Sequence, residues 1–152
     1  MNVVTGDQIR HASYRMDSSR LRTPRKELQD LILDGKIEEL DEVLATEYDD
    51  PKSEIEVLRP TFDYGTEEHN LLMTACKYGV EAAVPVLLHY SPDVNLQDSI
   101  MKRTALMLAC KGGFMKIIDM LLENGAEVNV SDHDHKTPLI MACEGGHLGA
   151  AL

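Results

Sequence analysis

Basic residues are in short supply: 15 Lys and Arg stand against 26 Asp and Glu in 152 residues, for a formal charge of -11 and a pI of about 4.9. Nucleic acid and anionic membrane surfaces both need a basic footprint, so that balance argues against either as a partner. Long apolar runs are missing as well. No stretch approaches the roughly 18 consecutive apolar residues of a membrane span, and the N-terminal MNVVTGDQIRH lacks the apolar core of a secretory signal. Cysteine is limited to Cys76, Cys110 and Cys143, with no Cys-x-x-Cys spacing, which excludes a disulfide framework and a zinc-finger signature. Unpaired thiols fit a reducing compartment, so the expected location is the cytoplasm or the nucleus. Aromatics are scarce, with no Trp and two Phe. A Gly-x-Ser-x-Gly elbow, a phosphate-binding Walker loop, a dinucleotide fingerprint and a zinc helix motif are all absent. The chain is therefore expected not to be an enzyme and to carry no cofactor, metal or catalytic residue.

What is present is the material of one globular domain. The mass of 17.0 kDa suits a single core, and 43% hydrophobic with 27% charged residues argues against disorder of the whole chain. Charge is uneven along it. Residues 1–26 hold six basic and two acidic residues, a local +4, which leaves -15 on the rest. Residues 1–22 show no sustained apolar period and read as a flexible basic arm. Thr23 and Pro24 then form a helix start, with Thr as N-cap and Pro where a missing N–H costs nothing. Leu28, Leu31 and Ile32, then Ile37, Leu40, Val43 and Leu44, keep helical spacing on either side of Gly35.

The strongest signal is a repeat. NLLMTAC at 70–76, TALMLAC at 104–110 and TPLIMAC at 137–143 align without gaps at spacings of 34 and 33, and each is followed by a glycine, Gly79, Gly113 and Gly146. Val86, Leu87 and Leu88 match Met120, Leu121 and Leu122, and PDVN at 92–95 matches AEVN at 126–129. Gly35 extends the phase upstream, but Gly35 to Gly79 is 44 residues, so about eleven extra residues fall in an acidic insertion near 47–68. A period of about 33 with a Thr-Pro-Leu helix start, a glycine break and a Leu-rich second helix resembles the ankyrin-repeat family, strongly over 70–152 and weakly from residue 27.

The resemblance implies an all-α solenoid of about four helix-turn-helix units, near 23–48, 66–98, 99–131 and 132–152, joined by hairpin-like loops. The first unit is degenerate and the last incomplete, which suggests a fragment or the front of a longer protein. Several positions depart from the family. Its His after Thr-Pro-Leu is Met73, Met107 and Ile140 here, and only one unit has Thr-Pro. The glycine of the hairpin tip is Lys102 in one unit and His135 in the next, which argues against the family's tight turn. Leu88 to Thr104 is 16 residues and Leu122 to Thr137 is 15, so one loop is longer. Pro85 falls in the first turn of its helix, where it is tolerated.

Candidate chemistry then sorts by register. The cysteines recur in phase, always after an alanine in a first helix, and are expected to pack rather than react. Asp132, His133, Asp134 and His135 alternate like metal ligands, but they fall on a hairpin tip, where residues two apart would share a side and serve partner contact better than metal. The arm offers Ser13, Ser18 and Thr23, each three residues after an Arg, as phosphorylation sites that would release it from the acidic body. Asn95 and Asn129 resemble targets of the asparaginyl hydroxylase that acts on ankyrin repeats; the alternative is that each satisfies loop backbone.

The expected function is a monomeric protein-protein interaction module, a scaffold or adaptor, or else the regulatory domain of a longer enzyme, ligase or channel. The family's variable contact positions fall on Thr66, Glu67, His69, Lys77 and Tyr78, then Ile100, Met101, Arg103 and Lys111, then His133, Asp134, Lys136 and Glu144. Ile100 and Met101 are apolar at an exposed tip, where they either anchor a partner or pack on the neighbouring tip. The acidic body suggests a partner with a basic surface.

Overall fold

The computed structural model describes residues 25–47, 69–90 and 93–151, which form eight helices in four pairs and no strand. They are α1 (Arg25–Leu33) with α2 (Ile37–Glu47), α3 (Leu71–Tyr78) with α4 (Ala83–Tyr90), α5 (Ala105–Gly112) with α6 (Met115–Glu123), and α7 (Pro138–Glu144) with the short α8 (Leu148–Ala151). The basic arm, Thr23 and nearly all of the acidic insertion lie outside the described residues.

Local chemistry starts and stops each repeat. Asn70, Thr104 and Thr137 sit in extended backbone at the N-caps of α3, α5 and α7, and their side-chain oxygens accept from the N–H of Met73, Met107 and Ile140 at 2.7, 3.3 and 3.4 Å. The position where the family carries His thus supplies a capped backbone donor, while the side chains of Met73 and Met107 lie fully buried in the core. At the far end, Gly79 and Gly113 take φ of 72° and 71°, and their N–H groups return to the preceding turn. Space adds to the requirement at both. A Cβ on Gly79 would overlap the Phe114 ring, and one on Gly113 would overlap His147. The ring of each later unit lies on the glycine of the unit before. Pro85 is the third residue of α4, as its position in the repeat predicts.

None of these short helices can bury its apolar stripe alone, so the pairs stack. α1, α3, α5 and α7 pack as one row; α2, α4, α6 and α8 pack as a second. Between the rows lie Leu28, Ile32, Leu40 and Leu44 of the first unit, Leu72, Val84 and Leu87 of the second, and Leu106, Ile117 and Leu121 of the third, all within 2% of complete burial. Each such side chain contributes about 1.5–3 kcal/mol of transfer free energy. The first unit, faint in sequence, joins this core on the same terms, and Tyr90 Oη donates to Asp41 Oδ1 at 3.3 Å across the outer row.

Candidate protein-binding surface

Two hairpin-like loops project from the inner row, and each is organised by a buried aspartate. In the first, Asp98 N donates to Arg103 O at 2.9 Å while Asp98 Oδ1 accepts from Met101 N at 2.6 Å. In the second, Asp132 N donates to Lys136 O at 2.9 Å while Asp132 Oδ1 accepts from the N–H groups of Asp134 and Lys136 at 2.9 and 2.8 Å. The closing bond spans five residues in the first loop and four in the second. The extra residue counted along the chain therefore lies in the turn Ser99–Met101, and it lifts Ile100 out to 55% exposure.

Both tips keep a left-handed residue without glycine, contrary to expectation: φ is 56° at Lys102 and 60° at His135. Such a residue costs roughly 1–3 kcal/mol and persists only where its surroundings over-determine it. Here they do, through the aspartate bonds and through Gln97, whose Nε2 donates to Lys102 O at 2.6 Å and to Ser131 O of the next loop at 3.1 Å. A further bond from His133 N to Met101 O at 2.8 Å ties tip to tip. The same turn breaks the alternation expected over 132–135. Asp132 is 4% exposed and Asp134 is exposed, so the two carboxylates do not share a side.

Nitrogen-bearing side chains just before the inner helices link successive units. His69 Nε2 lies 3.8 Å from Asp98 Oδ2, and Arg103 Nε lies 3.8 Å from Asp132 Oδ2. At the equivalent place Lys136 turns within its own unit, its Nζ 2.8 Å from Glu144 Oε1, and that hydrogen-bonded carboxylate raises the Lys136 ammonium above its ordinary value. Asn95 joins the loops behind: its Oδ1 accepts from Glu127 N at 2.7 Å and its Nδ2 donates to Gly125 O at 3.1 Å. Asp98 and Gln97 were not singled out in the sequence, and Asp132 was read there as part of an exposed Asp-His cluster rather than as the buried organiser of its turn. The in-phase recurrence of aspartate at 98 and 132, each opening a short polar turn, was the available signal.

The candidate contact residues divide accordingly. Tyr78, Ile100, Lys111, His133, Asp134 and Glu144 are exposed; Lys77, Met101, Arg103 and Lys136 are half-buried, with the Lys77 Nζ over the Tyr78 ring at 5.6 Å. His69 is a correction: at 8% exposure it lies inside, against Asp98 of the next loop, rather than on the surface. Thr66, Glu67, Ser13, Ser18 and Thr23 lie outside the described residues. Asn95 has both amide atoms engaged, whereas Asn129 is exposed.

The cysteines also part company. Cys76 and Cys110 are buried, and burial pushes their thiols up to about 12 and about 11, which keeps them protonated at neutral pH. Cys143 is exposed, against the expectation that all three pack, because no described inner helix lies beyond α7. Among the described residues no three His, Cys, Asp or Glu side chains gather around a metal position, and no helix is long and apolar enough to cross a membrane.

Comparison with known families matches residues 55–152 to ankyrin repeats, in three copies. The chain belongs to the ankyrin-repeat family. Its second, third and fourth helix pairs are the ankyrin repeats so matched, and the α1–α2 pair stacks on them from upstream of the matched span. Ankyrin repeats are generally protein-protein interaction modules. The comparison with curated proteins returns no match.

Proposed function

We propose that this ankyrin-repeat chain is a non-enzymatic binding module, working in the cytoplasm or nucleus as a scaffold or adaptor. A partner protein is held along the two hairpin tips and the exposed face of α3, α5 and α7. The observation that carries this reading is Ile100: a large aliphatic side chain, 55% exposed, on a turn pinned by Asp98, Gln97 and the bond to the next tip. An apolar group kept rigid in water serves a partner better than it serves the fold, since rigidity lowers the entropy lost on binding.

Affinity capture from cell extract, with Ile100→Glu/His133→Ala beside the wild type, tests the assignment. Both side chains are exposed, so circular dichroism and thermal midpoint should match between the two proteins. Partners retained by the wild type and lost from the variant support the reading. Identical partner sets remove the tips from the function.

A further inference from the structure

The total charge of -11 conceals a division between the two rows of helices. In the last three units, five of six basic residues (Lys77, Lys102, Arg103, Lys111 and Lys136) lie on the tips or inner helices, and only Lys116 lies on the outer row, beside Glu81. The acidic residues divide the other way. Exposed Glu81, Asp93, Asp119, Glu123 and Glu127 belong to the outer helices and the loops that flank them, and α2 adds Glu38, Glu39, Asp41 and Glu42. On the inner face of these three units, Asp98 and Asp132 are buried inside their turns, which leaves Asp134 and Glu144 as the exposed acids among the described residues, while α1 adds Glu27 and Asp30 to the same row upstream. The basic partner suggested by net charge would be attracted to the outer row and not to this surface.

The contact between Lys136 and Glu144 shows that the residue before an inner helix and the residue near its C-terminal end share one face. By the repeat register, Arg103 and Lys111 occupy those two places one unit earlier. There both are cations, and Asp132 accounts only for Arg103. Lys111 and Lys102 are exposed, and no acidic side chain lies within ion-pair distance of either among the described residues. Ile100 stands two residues from Lys102 on the longer tip.

Resting on the binding surface argued above, we propose that its occupant is an acidic segment of a partner protein carrying a bulky apolar residue. The apolar residue packs on Ile100, and the segment's carboxylates meet Lys102 and Lys111. Acidic side chains on the outer row strengthen this choice of site, because they repel the same segment from the rest of the molecule.

The test is selection of random displayed peptides, about a dozen residues long, on immobilised wild-type chain, with binding of the selected peptides then measured on Lys102→Glu/Lys111→Glu and on Ile100→Ala. Both lysines are exposed, and matching circular dichroism spectra establish that the double variant is folded. The expected result is enrichment of net-acidic sequences with an apolar residue, weakened roughly tenfold or more by the double reversal, weakened again by Ile100→Ala, and weakened by added salt. Enriched peptides that are basic or neutral, acidic peptides that bind the double reversal equally well, or no enrichment at all would overturn the proposal. Basic peptides that still lose binding with Ile100→Ala would leave the tip surface standing and remove only its acidic occupant.

Discussion

Helices α5 and α7 carry nearly the same sequence, ALMLAC against PLIMAC, and meet opposite fates. Leu106 and Met107 are 2% and 0% exposed, whereas Leu139 and Ile140 at the same places are 52% and 42% exposed. Cys110 is buried and Cys143 is not. Both helices begin at a threonine cap and present the same face to the unit before. The difference is a neighbour: α5 is packed between α3 and α7, while α7 has α5 on one side only in its row. In a stacked fold the worth of a side chain is set by the next unit as much as by its own helix, so stability is shared between unit and interface terms.

That comparison can be broken most directly in the core. Leu106→Ala should cost about 2–5 kcal/mol in chemical denaturation, through lost transfer energy and the cavity left behind, while Leu139→Ala should cost less than about 1. Equal losses at the two sites would mean that α7 is covered in solution. Asn95 and Asn129 sharpen it next. Removing the side chain that joins two loops should cost about 1–3 kcal/mol in Asn95→Ala, because Glu127 N and Gly125 O lose their partner, and Asn129→Ala should change little. The smallest effect is in the thiols. Native Cys143 should react with a disulfide reagent while Cys76 and Cys110 wait for unfolding. The buried thiols ionise near 9.0 once exposed but only near 11 to 12 in the fold, so the unfolded chain releases its protons first. Stability should therefore fall as pH rises above about 9, and Cys110→Ala should flatten that fall in thermal melts taken between pH 8 and 11.

The repeat, its helix starts and its glycine breaks were legible along the chain because each depends on a few neighbouring residues. A hydroxyl or amide three residues ahead of a free N–H makes a cap wherever it occurs, and the period of about 33 announces stacking. The longer loop was legible as a count, and its location was not. Only the closing bonds of Asp98 and Asp132 place the extra residue in the turn below Ile100. His69 was misjudged as surface because alignment conveys position in a unit and not the aspartate that the next unit brings to it. The tips at Lys102 and His135 were misjudged because local propensity weighs against a left-handed residue without glycine, and the bonds that hold it come from elsewhere, Gln97 above all.

By itself, then, the sequence determined that this chain folds as an ankyrin solenoid, which helices pair, where they begin and which faces are apolar. These follow from capping, spacing and periodicity, interactions that span a few residues. Tertiary structure alone decided which of three equivalent cysteines is reachable, that Arg103 is used up against Asp132, and that five of the six basic residues in the last three units gather on the tips and inner helices. Those outcomes depend on residues some 30 positions apart being brought within a few ångströms, and a linear pattern carries no distance between units.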